Sequence, residues 1–72
     1  MNLAERLNII IAEQSITKTE FATRLGVTKN YIYILTGSLP RKTRISPSLA
    51  KLIAAEFGYN EEWILSGEGD AR

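Results

Sequence analysis

A glycine at position 26 divides two short apolar-periodic stretches, each opened by a threonine, and this arrangement restricts the chain more than any other feature. Upstream, Ile16-Thr17-Lys18-Thr19-Glu20-Phe21 reads as a helix start. The Thr17 hydroxyl is placed to accept from the N–H of Glu20 while the Glu20 carboxylate reaches back, and Ile16 and Phe21 occupy the two hydrophobic staple positions around that capping box. Glycine after Leu25 supplies the left-handed conformation that ends such a helix in a sharp turn. Thr28 then caps the next helix. Two helices that cross around a turn this short need a small residue where their backbones meet and glycine in the turn, and Ala22 and Gly26 stand at those places. Phe21, Leu25, Val27, Ile32 and Leu35 supply the apolar surface by which the pair packs on the rest of the domain.

That rest reads as helical too. Leu3, Leu7, Ile10 and Ile11 follow the spacing of one helical face, with Glu5, Arg6 and Asn8 off it, which predicts a first helix over residues 2–14. The third helix, begun at Thr28, carries Ile32 and Leu35 inward and breaks at Gly37-Ser38-Leu39-Pro40. Ser46-Pro47 is an N-cap followed by proline at the first helical position, and Leu49, Leu52, Ile53 and Phe57 are the expected apolar face of a fourth helix ending at Gly58. Asn60 caps a short fifth helix, with Glu61 and Glu62 at its positive end. No strand-like alternation or internal repeat competes with this pattern. The expectation is an all-α, five-helix domain over residues 1–67, with residues 68–72 as a frayed tail.

Composition narrows the function classes. The 72 residues are 44% hydrophobic and contain neither cysteine nor histidine. A chain of this size forms one core and gains little margin over the entropy of ordering it. Disulfides, thiolate–imidazole metal sites and Cys or His catalysis are excluded, so helix packing or dimerisation must supply stability. No metal and no cofactor is expected. The apolar stretches are short and interrupted by charge, and no signal-type segment opens the chain, so the expected setting is cytoplasmic, without membrane or small-molecule substrate. Carboxylates, serines and threonines are scattered without a base to activate them, which leaves little for an enzyme. Gly67-Glu68-Gly69 is too short and too acidic to cradle phosphate.

The net charge of +1 is unevenly distributed. Between residues 17 and 45, Lys18, Arg24, Lys29, Arg41, Lys42 and Arg44 stand against Glu20 alone. Elsewhere Arg6, Lys51 and Arg72 face Glu5, Glu13, Glu56, Glu61, Glu62, Glu68 and Asp70. The basic half coincides with the capped helix pair, which points to a polyanionic partner for that half.

Residues 18–37 resemble the helix-turn-helix of Cro and lambda-repressor type regulators: Ala22, Gly26 and Ile32 match the small, glycine and branched positions, and further apolar positions agree in register. The resemblance extends to the first helix and to Phe57-Gly58-Tyr59-Asn60-Glu61-Glu62-Trp63-Ile64-Leu65-Ser66-Gly67, which looks like the last helix of phage-repressor-like domains. Two positions depart from the pattern. Many members pair an arginine on the first helix with a glutamate at the end of the recognition helix, where this chain has Ile11 and Thr36. Replacing both partners strands no charge. Lys18 stands where the family often has a glutamine that touches phosphate, keeping the attraction and losing the directed amide bonds.

The resemblance implies sequence-specific binding of double-stranded DNA by a transcriptional regulator, expected to be a repressor, with the helix over residues 28–36 in the major groove. With Val27, Ile32 and Leu35 facing inward, the helical wheel leaves Lys29, Asn30, Tyr33 and Ile34 outward. Asn30 has the geometry to pair bidentately with adenine, Lys29 to donate to guanine, and Ile34 to meet a thymine methyl, with Thr28 at base or phosphate. Lys18, Tyr31, Arg41, Lys42 and Arg44 are the expected phosphate contacts, Lys18 aided by the positive end of its helix. Trp63, Ile64 and Leu65 admit two readings, closure over the core or contact with a second copy, and core burial of Trp63 is the better supported. A single domain of this size binds DNA weakly at physiological salt, so a homodimer on a pseudo-palindromic operator is expected. The competing reading is a protein-interaction module of the same fold, such as an antitoxin or anti-repressor-like partner.

Overall fold

The computed structural model describes residues 1–37 and 44–72 of the chain. It contains α1 (Leu3–Gln14), α2 (Lys18–Leu25), α3 (Lys29–Thr36), α4 (Pro47–Phe57) and α5 (Glu61–Ser66), with no strand among the described residues. The fold is all-α. None of these helices is long and apolar enough to cross a membrane.

Each helix begins where a side chain can satisfy its free N–H groups. Thr17 accepts from the Glu20 N–H at 3.0 Å, Thr28 from Tyr31 at 3.3 Å, Ser46 from Leu49 at 3.2 Å and Asn60 from Glu62 at 3.1 Å. The reciprocal bond expected from Glu20 is not among those of the described residues, so α2 has half a capping box. The complete one opens α1: Asn2 Oδ1 accepts from the Glu5 N–H at 2.8 Å and Glu5 Oε1 accepts from the Asn2 N–H at 3.0 Å. The Asn-x-x-Glu spacing that announces it stands at residues 2–5. At the other end of α2, Gly26 has φ 74°, its N–H bonds to Thr23 O, and the Val27 N–H reaches Ala22 O at 3.0 Å. This is a Schellman closure, and Ala22, which is buried, forms its base.

The core joins all five helices. Leu7 and Ile10 of α1, Phe21 of α2, Ile32 and Leu35 of α3, Ile53 of α4 and Ile64 of α5 are its fully buried large side chains. The Phe21 and Phe57 rings stack with centroids 5.3 Å apart, which ties α2 to α4. α3 packs between α1 and α2, and α5 between α1 and α4. Three sequence expectations change here. Leu52 is half exposed, because the buried stripe of α4 runs through Leu49, Ala50, Ile53 and Phe57. Leu52 instead lines a surface pocket with Pro47, Ser48, Lys51 and Ala55.

Arg6, placed off the apolar face by its charge, is buried. Its guanidinium donates to Ile64 O from Nε at 3.3 Å and Nη2 at 3.2 Å, to Leu65 O at 3.5 Å and to Met1 O at 2.9 Å. It thereby satisfies free carbonyls at the negative end of α5. Burial pulls its pKa below the usual arginine value. Gly67 beside it is left-handed (φ 81°), a conformation that side-chain-bearing residues rarely adopt.

The C-terminal residues are not frayed. Ala71 O accepts from the Asn60 N–H at 2.7 Å, Asp70 O accepts from Asn60 Nδ2 at 3.0 Å, and Arg72 bonds both Glu13 and Tyr59 at 3.1 Å while lying over the Tyr59 ring. Residues 68–72 thus fold back on α1 and on the start of α5. Hydrogen bonding from Tyr59 and Arg72 holds the Glu13 carboxyl below the usual carboxylate range.

Candidate nucleic-acid interface

α3 separates its residues into two sets. Ile32, Leu35 and Thr36 are buried, whereas Lys29, Asn30, Tyr33 and Ile34 are exposed, as is the capping Thr28. The helix is only eight residues long, so its orientation is set by what holds it. Ile32 and Leu35 anchor it in the core, and Gly26 and Thr28 fix its entry. At its far end the Thr36 hydroxyl donates back to Ile32 O at 2.7 Å, and Asn8 of α1 donates to Thr36 O at 3.1 Å. Thr36 and Ile11, which take the places of the charged pair usual in the resembled family, are both buried, and the Thr36 hydroxyl is satisfied within its own helix. No charge is left unpaired by the exchange.

The exposed stripe is chemically mixed. Lys29 offers an ammonium, Asn30 an amide with donor and acceptor, Tyr33 a ring and hydroxyl, and Ile34 an aliphatic surface. Tyr33 is 50% exposed and Ile34 42%, large apolar side chains left open beside polar ones. Singly exposed apolar residues are ordinary, but two adjacent ones on the face that carries Lys29 and Asn30 form a patch that a partner can cover. The stripe therefore combines hydrogen-bond donors, one bidentate amide and an apolar surface on a helix packed into the core from behind.

Cations flank it. Lys18, the first residue of α2, holds its Nζ 5.2 Å from the centroid of the Tyr33 ring. Arg44 is exposed just ahead of the buried Ile45 and the α4 cap. Neither Lys18, Lys29 nor Arg44 forms an ion pair with a described residue. Arg24 differs: it bonds Glu56 of α4 at 2.9 Å and lies 4.6 Å from the centroid of the Phe57 ring, so its charge is committed to holding α2 on α4. Tyr31 is half-buried against the core. Arg41 and Lys42, two of the expected phosphate contacts, lie outside the described residues.

Trp63, Ile64 and Leu65 do not join this surface. Ile64 is fully buried and Trp63 nearly so, stacked on Tyr59 at 6.3 Å, which leaves only the half-buried Leu65 able to meet a second copy with its side chain. The core reading of α5 replaces the dimer reading for the first two. The contact between Lys18 and Tyr33 could not be found from spacing, since the two stand in different helices. Comparison with known proteins finds no matching family model, no matching curated protein and no matching solved structure.

Proposed function

We propose that this protein is a sequence-specific double-stranded DNA-binding regulator of the Cro and lambda-repressor type, with α2 and α3 as its helix-turn-helix and α3 as the element that enters the major groove. The observation that carries the reading is the exposed stripe of α3. Lys29, Asn30, Tyr33 and Ile34 share one face, and that face matches the chemistry of major-groove base edges: acceptors on guanine, the donor–acceptor pair of adenine, and the methyl of thymine.

Lys18 beside the stripe and the exposed Arg44 ahead of α4 serve as phosphate contacts, with Thr28 and Tyr31 at the start of α3. Phosphate attraction is not sequence-selective by itself, and it fixes the register in which the base-reading groups act. One domain with about four such contacts binds weakly at physiological salt. Two copies on a pseudo-palindrome, their recognition helices about 34 Å apart, give the affinity a repressor needs.

The test is selection of bound duplexes from a random pool, followed by titration of the winner at several salt concentrations. The reading expects a two-fold-related sequence and an affinity that falls steeply with salt, by close to one power of concentration per phosphate neutralised. No enrichment together with a flat salt response would overturn it in favour of a protein partner.

A further inference from the structure

We propose that Lys18 is a specificity-determining residue that acts through Tyr33, so that the contact between them ties the register of the phosphate backbone to the reading of one base step. This deepens the DNA-binding reading and rests on it. The two side chains come from different helices. Lys18 is the first residue of α2, its backbone fixed by the Thr17 cap, and Tyr33 stands midway along the exposed stripe of α3. The ammonium lies 5.2 Å from the ring centroid. No described carboxylate pairs with Lys18.

A solvated lysine samples many rotamers, and a tyrosine half open to water does the same. Contact between the two reduces both sets at once. The ring is held on the α2 side of the stripe, and the ammonium is held beside the helix that reads the bases. A phosphate drawn to Lys18 is thereby placed at a fixed distance from Tyr33, so a shift in backbone position and a shift in base contact become one event. Preorganisation of this kind favours the base step whose geometry suits the held ring, at the expense of steps that would need it to move. A lysine that contacts phosphate alone has no such effect, and its loss weakens binding equally for all sequences.

The experiment measures base preference for wild type, Lys18→Met, Lys18→Arg, Tyr33→Leu and the Lys18→Met, Tyr33→Leu double variant, using duplexes varied one pair at a time around the selected sequence. Thermal unfolding confirms that each variant is folded. Lys18→Met is expected to lower overall affinity, reduce the salt slope by about one, and also weaken discrimination by roughly two- to five-fold at one base step, the magnitude of a surface cation–π contact. Tyr33→Leu alters the same step. In the Tyr33→Leu background Lys18→Met no longer changes preference, while in the wild-type background Lys18→Arg retains it, since a guanidinium also stacks on the ring. If Lys18→Met weakens all sequences equally with preference intact, the coupling is refuted and the DNA-binding reading stands. If wild type selects no sequence at all, the DNA-binding reading fails and takes this inference with it.

Discussion

Arg6 offers the sharpest test of how the domain is held together. Arg6→Met keeps the apolar stem and removes the guanidinium that donates to Ile64 O, Leu65 O and Met1 O. The Leu65 contact, at 3.5 Å, is at the long end and contributes little. Of the other three bonds, two share the Ile64 carbonyl and the third ends on the exposed first residue. A bond from a charged donor contributes about 1.5–3 kcal/mol, and a buried carbonyl left without a donor costs about 1–3 kcal/mol. Because one acceptor is shared, the total is about 3 kcal/mol rather than three full increments. For a domain of this size that lowers Tm by about 12–24 °C. Trp63 is the chain's single tryptophan and sits on the helix that Arg6 holds, so its fluorescence follows urea unfolding directly. The midpoint falls while the slope stays constant. Arg6→Lys, which keeps the charge without the planar fork, is expected to fall between wild type and the methionine variant. A methionine variant that melts within about 2 °C of wild type would refute the claim that the guanidinium anchors α5.

Other perturbations address separate parts of the structure. Ser15 ends α1 in the left-handed region (φ 56°), where a side chain is strained, and its hydroxyl makes no hydrogen bond to a described residue, so Ser15→Gly should stabilise by about 1 kcal/mol and raise Tm by about 4–8 °C; no increase in calorimetry contradicts the strain. On α4, Ile53→Ala is expected to cost about 2–5 kcal/mol while the neighbouring Leu52→Ala changes stability by less than about 0.5 kcal/mol, and equal losses in parallel urea melts would refute the burial pattern. The Glu13 carboxyl has a folded pKa below its unfolded one, so its contribution is present above the ordinary value of 4.5 and is lost as pH falls through the folded value. Acid unfolding should therefore show a steeper loss in wild type than in Glu13→Gln, and superimposable pH profiles would show that the bonds Glu13 makes with Tyr59 and Arg72 add nothing to stability.

Much of the fold was legible because helix ends are local. Thr17, Gly26, Thr28, Ser46, Gly58 and Asn60 each act within a few residues of where they stand, and each occupies the cap expected of it. The same rule covers Asn2 and Glu5, a box whose spacing carries the signal in full. The burial of Arg6 is not legible locally, because a guanidinium on a helix normally seeks water and the carbonyl of Ile64 that receives it lies 58 residues away. The ordering of residues 68–72 depends in the same way on Glu13, Tyr59 and Asn60, none of which their own acidic, glycine-rich composition reveals. Leu52 fits the apolar spacing of α4 equally well, but the small Ala50 completes the buried stripe in its place. The division of α3 into inward and outward residues followed directly from its period. The coupling of Tyr33 to Lys18 did not, since it needs the angle between two helices.

In the proposed function the exposed stripe of α3 is the surface that meets DNA. The most direct measurement is residue-resolved NMR titration of the protein with the selected duplex, beside a scrambled duplex of equal length. The selected duplex is expected to shift the side-chain resonances of Lys29, Asn30, Tyr33 and Ile34, with Lys18 and Arg44 responding to both duplexes. Shifts centred on Leu52 and the outer face of α4, with the α3 stripe unmoved, would contradict it.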